Sequence, residues 1–425
     1  MKYSVVTFGC RVNQADSLRI EEDLLALGGE EAPTRDADLV VVNTCSVTAT
    51  ADQGARQTIR RIARENPAAQ IIATGCYATR CTDDVAALPN VVRVVRNDGK
   101  LAFFSTNGAD SAAPVAQTFR SASDDSGPCG RALEPGIGGR TAFTLRVQTG
   151  CEECCSYCII PSTRGASRSL PVEEVVREVR RVTKAGFKEV TLTGVHLGSY
   201  GRDLAPPSSL HALLHALDAI DADVQFRISS LEPMDCTREI VDLVARTGRC
   251  LPHFHLPLQH ASDRVLEAMR RPYTLEYYRR LADDIRERLP HASIGSDMIV
   301  GFPGETDEDF AANVDYLPGS PLTHLHVFPY SDRPGTVASS LPGKVHGAVV
   351  RERGVVLRRI GAELTQRFHA SQAGTVRPGL TLEDGTLVVT DNYLKVRIPP
   401  GTPRNTRVSV RIPDSPGFAP AREGG

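Results

Sequence analysis

Four of the eleven cysteines fall within eight residues of the segment GCEECCSYCIIPSTRG. Cys151, Cys155 and Cys158 have the spacing C-x3-C-x2-C, and three thiolates can hold three irons of a 4Fe–4S cluster, leaving one iron open to a small molecule. Zinc is the alternative, but zinc sites usually show paired cysteine or histidine knuckles, and no partner pair is evident nearby. Cys154 permits other ligand pairs, either with Cys151 or with Cys158. We favour Cys151, Cys155 and Cys158 as ligands and interpret Cys154 as a bystander.

A second set of cysteines is spread along the first eighty residues. Cys10 follows the apolar segment SVVTFG, Cys45 follows DLVVVN and Cys76 follows QIIATG, at spacings of 35 and 31 residues. Each spacing equals about one βα unit, and the carboxyl ends of parallel strands share the edge where α/β folds place ligands. Buried structural cysteines are the alternative. The repeated placement after a strand favours a second thiolate triplet.

The elements that carry the second set predict an N-terminal α/β domain over residues 1–104 with a parallel sheet. Strand patterns cover residues 4–9, 38–43, 70–75 and 91–95, and helical spacing covers residues 16–27 and 51–65. Residues 105–140 are rich in Gly, Ala, Ser and Pro, which predicts a linker.

The strand–helix alternation resumes in residues 141–370. Six strand candidates cover residues 143–148, 189–193, 224–229, 254–258, 293–300 and 323–329, with helical patterns between them. This predicts an incomplete (βα) barrel, in which the loop of the first cysteine set follows the first strand. Short strand patterns in residues 371–425 predict a small all-β module.

Composition restricts the classes of protein that the chain can represent. It has 425 residues, 49 Lys plus Arg and 51 Asp plus Glu, so its formal net charge is −2. This balance excludes a bulk polycation that coats nucleic acid, but not a local basic face. No apolar run approaches the roughly 18 residues of a membrane span, and the segment MKYSVVTFGC is not typical of a signal peptide. We therefore expect a cytoplasmic protein with no membrane association.

Taken together, these segments resemble the radical S-adenosylmethionine methylthiotransferases along nearly the whole chain. The matching N-terminal motifs are FGCRVNQADS, NTCSVT and GCYA, and the loop continues as YCIIPSTRG. Further matches are LTGVHLGSYG, RISSLEP, FHLPLQHASDRVLEAMRRPYT, DMIVGFPGETDEDF and HVFPYSDRPGT. TGVHLGSYG and HVFPYSDRPGT are most similar to the branch that acts on N6-threonylcarbamoyladenosine in tRNA. The sequence departs from the common pattern at Thr149, where an acidic residue is frequent, and at the extra Cys154.

The resemblance implies two 4Fe–4S clusters and S-adenosylmethionine as cofactors. The cluster on Cys151, Cys155 and Cys158 would bind S-adenosylmethionine and yield a 5′-deoxyadenosyl radical that removes hydrogen from carbon 2 of the adenine. The cluster on Cys10, Cys45 and Cys76 would hold the sulfur, and a second S-adenosylmethionine would methylate it. The implied partners are tRNA and an electron donor such as flavodoxin or ferredoxin. The oligomeric state stays open.

The resemblance and the predicted strand ends also suggest contacts to S-adenosylmethionine. Tyr157 would lie against the adenine, and Thr193 with Gly194 would receive the methionine amino group. Ser229 and Glu232 would contact the ribose or carboxylate. The alternative for each is an ordinary loop contact. The full predicted set is Tyr157, Thr193, Gly194, Ser229, Glu232, Gln259 and Gly301.

Two further histidines lie outside this set. His253 and His255 alternate along a predicted strand, so that one could face inward. We interpret them as core histidines with satisfied hydrogen bonds.

The C-terminal module resembles the TRAM domain, a small β-barrel that binds RNA in this family. Basic side chains could contact phosphates and an aromatic ring could stack on a base. The predicted RNA-binding residues are Arg377, Tyr393, Lys395 and Arg397. An ordinary solvated face is the alternative for these residues.

Other functions are kept open. One is methylthiolation of isopentenyladenosine in tRNA or of a ribosomal protein, and another is a non-catalytic metal-binding RNA adaptor. The basic final module favours the tRNA enzyme over an enzyme that acts on a protein.

Overall fold

The computed structural model describes residues 1–100, 134–136 and 140–414. Most of the predicted linker, residues 105–140, lies outside the described residues, and so does Cys129. The chain divides into two compact units. Among the described residues, the first comprises residues 1–100, 149–152 and 158–166, and the second comprises residues 134–136, 140–148, 153–157 and 167–414.

The first unit contains a five-stranded parallel sheet in the order β2-β1-β3-β4-β5. Every residue of the central strand β3 is buried, as its continuous apolar pattern predicts. The parallel sheet is confirmed, but β2 was not predicted because its two glutamates carry no apolar pattern. The strands are β1 (Lys2–Thr7), β2 (Glu30–Glu31), β3 (Leu39–Thr44), β4 (Gln70–Gly75) and β5 (Val91–Val95).

Helices of the first unit pack apolar stripes against this sheet. The side chain of Thr48 accepts a hydrogen bond from the Ala51 amide and caps α2, which buries Ala55, Ile59 and Ile62 at helical spacing. Helix α1 begins five residues before the predicted start at Asp16. The helices are α1 (Arg11–Ala26), α2 (Ala49–Glu65), α3 (Cys76–Arg80), α4 (Thr82–Ala86) and α5 (Ile160–Arg164).

The second unit contains six parallel strands in two sheets, β6-β9-β10 and β11-β12-β13. A parallel bridge between Ser230 and His255 connects the two sheets, so the strands follow one another in chain order. This confirms the prediction of an incomplete α/β barrel. The strands are β6 (Phe143–Arg146), β9 (Glu189–Thr193), β10 (Gln225–Ile228), β11 (His253–His255), β12 (Ser293–Val300) and β13 (His324–Pro329), with a small pair β7 (Gln148–Thr149) and β8 (Arg168–Ser169).

Amphipathic helices lie between the barrel strands. Helix α6 buries Val175, Val179 and Val182, and α11 begins with a capping box between Thr306 and Asp309. The helices are α6 (Val172–Lys184), α7 (Leu210–Asp218), α8 (Arg238–Arg246), α9 (Asp263–Ala268), α10 (Leu275–Arg288), α11 (Asp307–Tyr316) and α12 (Gly347–Gln372).

The final module forms a four-stranded antiparallel sheet in the order β16-β15-β14-β17. Its core includes Val388, Val396 and Val410, with Phe368 from α12. The all-β character agrees with the prediction, whereas closure into a barrel stays a prediction. The strands are β14 (Val376–Leu382), β15 (Leu387–Thr390), β16 (Lys395–Arg397) and β17 (Arg407–Arg411).

Candidate functional site

The second cysteine set lies at one edge of the sheet in the first unit. Cys45 and Cys76 directly follow β3 and β4, and Cys10 lies three residues beyond β1. The strand order reverses between β1 and β3, which is the point where open α/β sheets bind ligands. Cys45 and Cys76 are buried, whereas Cys10 is exposed at the edge.

These three thiols are close enough to influence one another. Burial raises the pKa of Cys45 to about 11, and the charges of Cys10 and Cys76 act in the same direction. Gly9 has a φ of +83°, and a Cβ atom there would lie 2.3 Å from the Cys45 Sγ atom. The glycine therefore lets the loop after β1 approach Cys45 closely.

A buried group of charges lies beside this thiol triplet. Lys100 Nζ donates to Asp16 Oδ2 at 2.7 Å, and Arg164 Nη2 lies 3.3 Å from the same oxygen. The three charged side chains are at most 2% exposed. Burial acts to lower the pKa of Arg164, but the charges of Cys76, Asp16 and Cys10 outweigh it and raise that pKa. Burial lowers the pKa of Lys100, although the charge of Asp16 opposes that shift. Arg164 therefore supplies the positive charge beside the thiols.

Asparagine side chains hold the strand ends that carry the cysteines. Asn13 Nδ2 donates to the carbonyls of Phe8 and Thr44, each at 2.9 Å, and so joins the ends of β1 and β3. Arg164 Nη2 donates to Asn13 Oδ1 at 2.6 Å. The cysteine loops are thus fixed by hydrogen bonds within the unit.

The thiol triplet fits an iron–sulfur cluster. Thiolates are the ligands that such clusters use, and hydrogen bonds and nearby charge set their potential. Arg164 Nε is buried without a hydrogen-bond partner among the described residues. Asn97 Nδ2 also donates to Cys76 Sγ at 3.6 Å. The site therefore offers three thiols, donors to sulfur and positive charge to offset an anionic cluster.

The residues of the C-x3-C-x2-C loop divide between the two units, Cys151 and Cys158 in the first and Cys155 in the second. In the first unit, the Cys151 amide donates to the Gly165 carbonyl at 3.0 Å. Gly150 has a φ of +78°, and a Cβ atom there would lie 1.8 Å from the Ala166 carbonyl oxygen. Only glycine permits the turn that begins the loop.

In the second unit, Arg271 organises the surroundings of Cys155. Its Nη1 atom donates to the Cys155 Sγ atom at 3.1 Å, and its Nη2 atom forms an ion pair with Glu232. Burial acts to lower the pKa of Arg271, but the charges of Tyr157 and Glu232 outweigh it and raise that pKa. Arg271 Nε also donates to the Tyr273 hydroxyl at 3.0 Å. Three predicted residues, Cys155, Tyr157 and Glu232, therefore surround one guanidinium.

Thr193, Gly194 and Ser229 lie at the carboxyl ends of the neighbouring strands β9 and β10. Ser229 Oγ donates to Thr193 Oγ1 at 3.3 Å. A Cβ atom at Gly194 would lie 2.9 Å from Gln148 Oε1, so the absence of a side chain keeps this strand end compact. The structure thus brings these three predicted contacts together.

Gln259 and Gly301 occupy a different place, around the end of β12. Gln259 has a φ of +71° and exchanges backbone hydrogen bonds with Asp297 and Ile299, each at 2.8 Å. The amide of Gly301 donates to the buried carboxylate of Glu305. The contact of either residue with S-adenosylmethionine stays a prediction.

Two of the four predicted RNA-binding residues are engaged within the second unit. Arg377 forms an ion pair with Asp391. The ring of Tyr393 packs 4.9 Å below the guanidinium carbon of Arg227 and 4.5 Å from the ring centre of His253. Lys395 and Arg397 are exposed on β16, and the RNA contacts of all four residues stay predictions.

Sequence reasoning gave no role to Asn13, Asp16, Lys100, Arg164 or Arg271. Asn13 and Asp16 lie in FGCRVNQADS, Arg164 in IPSTRG and Arg271 in MRRPYT. Their place inside these motifs is the signal that could have identified these polar and charged residues as functional. The pairing is not readable from the sequence, because Asp16 and Arg164 are 148 residues apart in the chain.

The fold and the cysteine loop define a radical S-adenosylmethionine protein. The family model described as the radical SAM superfamily matches residues 145–317. The structure is similar to a radical S-adenosylmethionine methyltransferase, TsrM, from Kitasatospora setae, with a TM-score of 0.55 over 80% of this chain and 76% of that chain. The identity is 17%, so this likeness shows the fold alone.

The first unit has a match of its own. The family model described as uncharacterized protein family UPF0004 matches residues 2–96. Over 403 residues, 93% of this chain and 96% of the relative, the sequence is 36% identical to the threonylcarbamoyladenosine tRNA methylthiotransferase MtaB of Aquifex aeolicus. The MtaB protein of Bacillus subtilis is 34% identical over 92% of this chain and 88% of the relative.

The name of a third relative specifies a different modified adenosine of tRNA. The tRNA-2-methylthio-N(6)-dimethylallyladenosine synthase of Paenarthrobacter aurescens is 33% identical over 88% of this chain and 73% of the relative. The chain belongs to the radical S-adenosylmethionine methylthiotransferase family.

Among the described residues, no helix is long and apolar enough to cross a membrane.

Proposed function

We propose that this protein is a tRNA methylthiotransferase that converts N6-threonylcarbamoyladenosine beside the anticodon to its 2-methylthio form. The observation that carries the proposal is the 36% identity to an MtaB enzyme over nearly the full length of both chains. Three further MtaB relatives are 32–34% identical. Since tRNA is the proposed substrate, we place the reaction in the cytoplasm.

We further propose that the chain holds two 4Fe–4S clusters, one on Cys151, Cys155 and Cys158 and one on Cys10, Cys45 and Cys76. When bound, the first would supply reductive cleavage of S-adenosylmethionine, and the second would hold the sulfur that is transferred. An electron donor such as flavodoxin or ferredoxin would serve the first cluster.

The side chains of each unit have defined parts in this proposal. Arg271 donates to Cys155 and fixes Glu232, so that one guanidinium orients a cluster ligand and a predicted cofactor contact. Arg164, paired with Asp16 beside Lys100, opposes the negative charge of the other thiol triplet from a buried site. Thr193, Ser229 and Tyr157 would contact S-adenosylmethionine. Because these charges and hydrogen-bond donors are already in place beside the thiols, the protein needs little rearrangement when a cluster changes oxidation state.

We also propose that the C-terminal sheet is a TRAM-like module that binds tRNA. Lys395 and Arg397 are exposed on one strand and supply phosphate contacts. Arg377 and Tyr393 are engaged by Asp391 and Arg227, so their RNA contacts would require these pairs to open or to be shared.

The test of the substrate is nucleoside mass spectrometry of tRNA from a deletion strain. The 2-methylthio form of threonylcarbamoyladenosine should disappear and return with the wild-type chain. It should not return with Cys76→Ala or Cys155→Ala. The matched controls, Cys81→Ala and Cys154→Ala, should restore it.

Other outcomes would replace the proposal. Loss of the methylthio form of dimethylallyladenosine alone would assign the chain to the other tRNA branch. Unchanged tRNA would direct attention to a ribosomal protein. The metal content separates an adaptor from an enzyme: the enzyme should hold about eight irons per chain and cleave S-adenosylmethionine, whereas zinc without cleavage would support the adaptor.

A further inference from the structure

Three adjacent strands of the barrel bring histidines and a carboxylate to one face. In the parallel register, His255 pairs with Gly295, Gly295 pairs with His324, and Asp297 pairs with His326. Because side chains alternate along a strand, residues at these paired positions project from the same side of the sheet. Gly295 has no side chain, and a Cβ atom there would lie 2.1 Å from His324 Nε2. The His324 ring therefore lies over the glycine, between the other polar groups.

The ligand atoms of His255, Asp297 and His326 converge. His255 Nε2 and His326 Nδ1 each lie 3.1 Å from Asp297 Oδ1. The three possible ligand atoms all lie within 4.8 Å of one another, and the two imidazole ring centres are 5.3 Å apart. Two imidazole nitrogens and one carboxylate oxygen at these distances can bind a single ion.

One member of this group is short of a partner. His255 Nε2 is buried and makes no hydrogen bond with the described residues, although Asp297 Oδ1 lies near, because the two atoms are not aligned for one. A buried polar nitrogen without a hydrogen bond is unfavourable, because it has lost its hydration without gaining a partner. A metal ion between the nitrogen and the carboxylate would satisfy both lone pairs.

We propose that His255, Asp297 and His326 form a binding site for a divalent transition-metal ion, built without cysteine and additional to the two thiol triplets. Two histidines and one carboxylate are a ligand set that holds zinc or ferrous iron and leaves coordination positions open. The side chain of His326 is 55% exposed, so an ion can reach the site from solvent. This inference does not depend on the identity of the modified nucleoside.

The test uses the chain loaded with its iron–sulfur clusters and Zn²⁺ alone as the probe, because zinc is distinguishable from cluster iron by elemental analysis. After equilibrium dialysis, the wild-type protein should bind one zinc per chain. His326→Ala and Asp297→Asn should each weaken the binding by more than about 10-fold, since loss of a ligand costs at least as much as loss of a second-sphere partner. X-ray absorption at the zinc edge should show nitrogen and oxygen neighbours at about 2.0–2.2 Å.

The matched control is His211→Ala, which removes a histidine of α7 outside the group and should leave zinc binding unchanged. His326 is the diagnostic position because an exposed side chain can be removed without loss of the fold. Absence of zinc from a wild-type chain with full iron content would overturn the proposal. Equal zinc binding by the variants would do the same, and so would sulfur neighbours at about 2.3 Å, which mark zinc on cysteine.

Discussion

The buried carboxylate of Asp16 should be essential for the stability of the first unit. It lies 2.7 Å from Lys100 Nζ and 3.3 Å from Arg164 Nη2, and all three side chains are at most 2% exposed. At an effective dielectric constant of about 20, these two attractions amount to about 6 and about 5 kcal/mol before the cost of desolvation. The substitution Asp16→Asn keeps the size of the side chain but leaves two buried cations without the carboxylate between them.

The net destabilisation should be about 3–5 kcal/mol, which is the usual cost of removing one partner of a buried ion pair. A tenfold change in an equilibrium constant corresponds to about 1.4 kcal/mol. Amide hydrogen exchange from β3, the central strand, should therefore accelerate by roughly two to three and a half orders of magnitude where exchange requires unfolding of the unit. Hydrogen-exchange mass spectrometry of the β3 peptide measures this directly.

Two further variants separate this reasoning from a general loss of fold. Asp36→Asn removes an exposed carboxylate that pairs with Arg35, and it should change stability by less than about 0.5 kcal/mol. Adding Lys100→Met to Asp16→Asn removes one uncompensated cation and should recover part of the lost stability. Exchange in Asp16→Asn at the rate of the Asp36 variant would refute this role of the Asp16 carboxylate, and so would a double variant less stable than the single one.

Two other substitutions test the cysteine edge and the docking of the C-terminal module. Gly9→Ala would place a Cβ atom 2.3 Å from Cys45 Sγ, so the iron content should fall by about half. The control is Gly28→Ala, because Gly28 has a similar φ of +81° with open space around it. This control should retain its iron and lose about 1 kcal/mol of folding stability. Full iron in Gly9→Ala, measured by elemental analysis, would contradict the assigned ligand set. Arg227→Met removes the guanidinium that packs on the Tyr393 ring and donates to carbonyls of the C-terminal module, so hydrogen exchange in β15 should accelerate. Unchanged exchange there would show that other contacts hold the module.

The local pattern of apolar residues was sufficient to predict the order of strands and helices in both units. The apolar strands of both units, the order of strands and helices, and the positions of the cysteines after β1, β3 and β4 follow from short stretches of sequence, because burial imposes a period on each strand and helix. The strand limits predicted for residues 70–75, 91–95 and 293–300 agree with the structure. The start of α1 was placed too late because its first turn includes the buried polar residue Asn13, which a search for apolar spacing passes over.

The pairing of polar residues required the folded chain. Arg271 and Cys155 are 116 residues apart, and Lys100 and Asp16 are 84 residues apart, so no local period connects them. His255 was interpreted from sequence as a satisfied core histidine, yet its Nε2 atom faces Asp297 and His326 from neighbouring strands. That arrangement depends on the register of β11, β12 and β13, which is fixed by packing across the barrel. Spacing along the chain therefore identified the thiols, whereas the charges and imidazoles around them depend on which strands become neighbours.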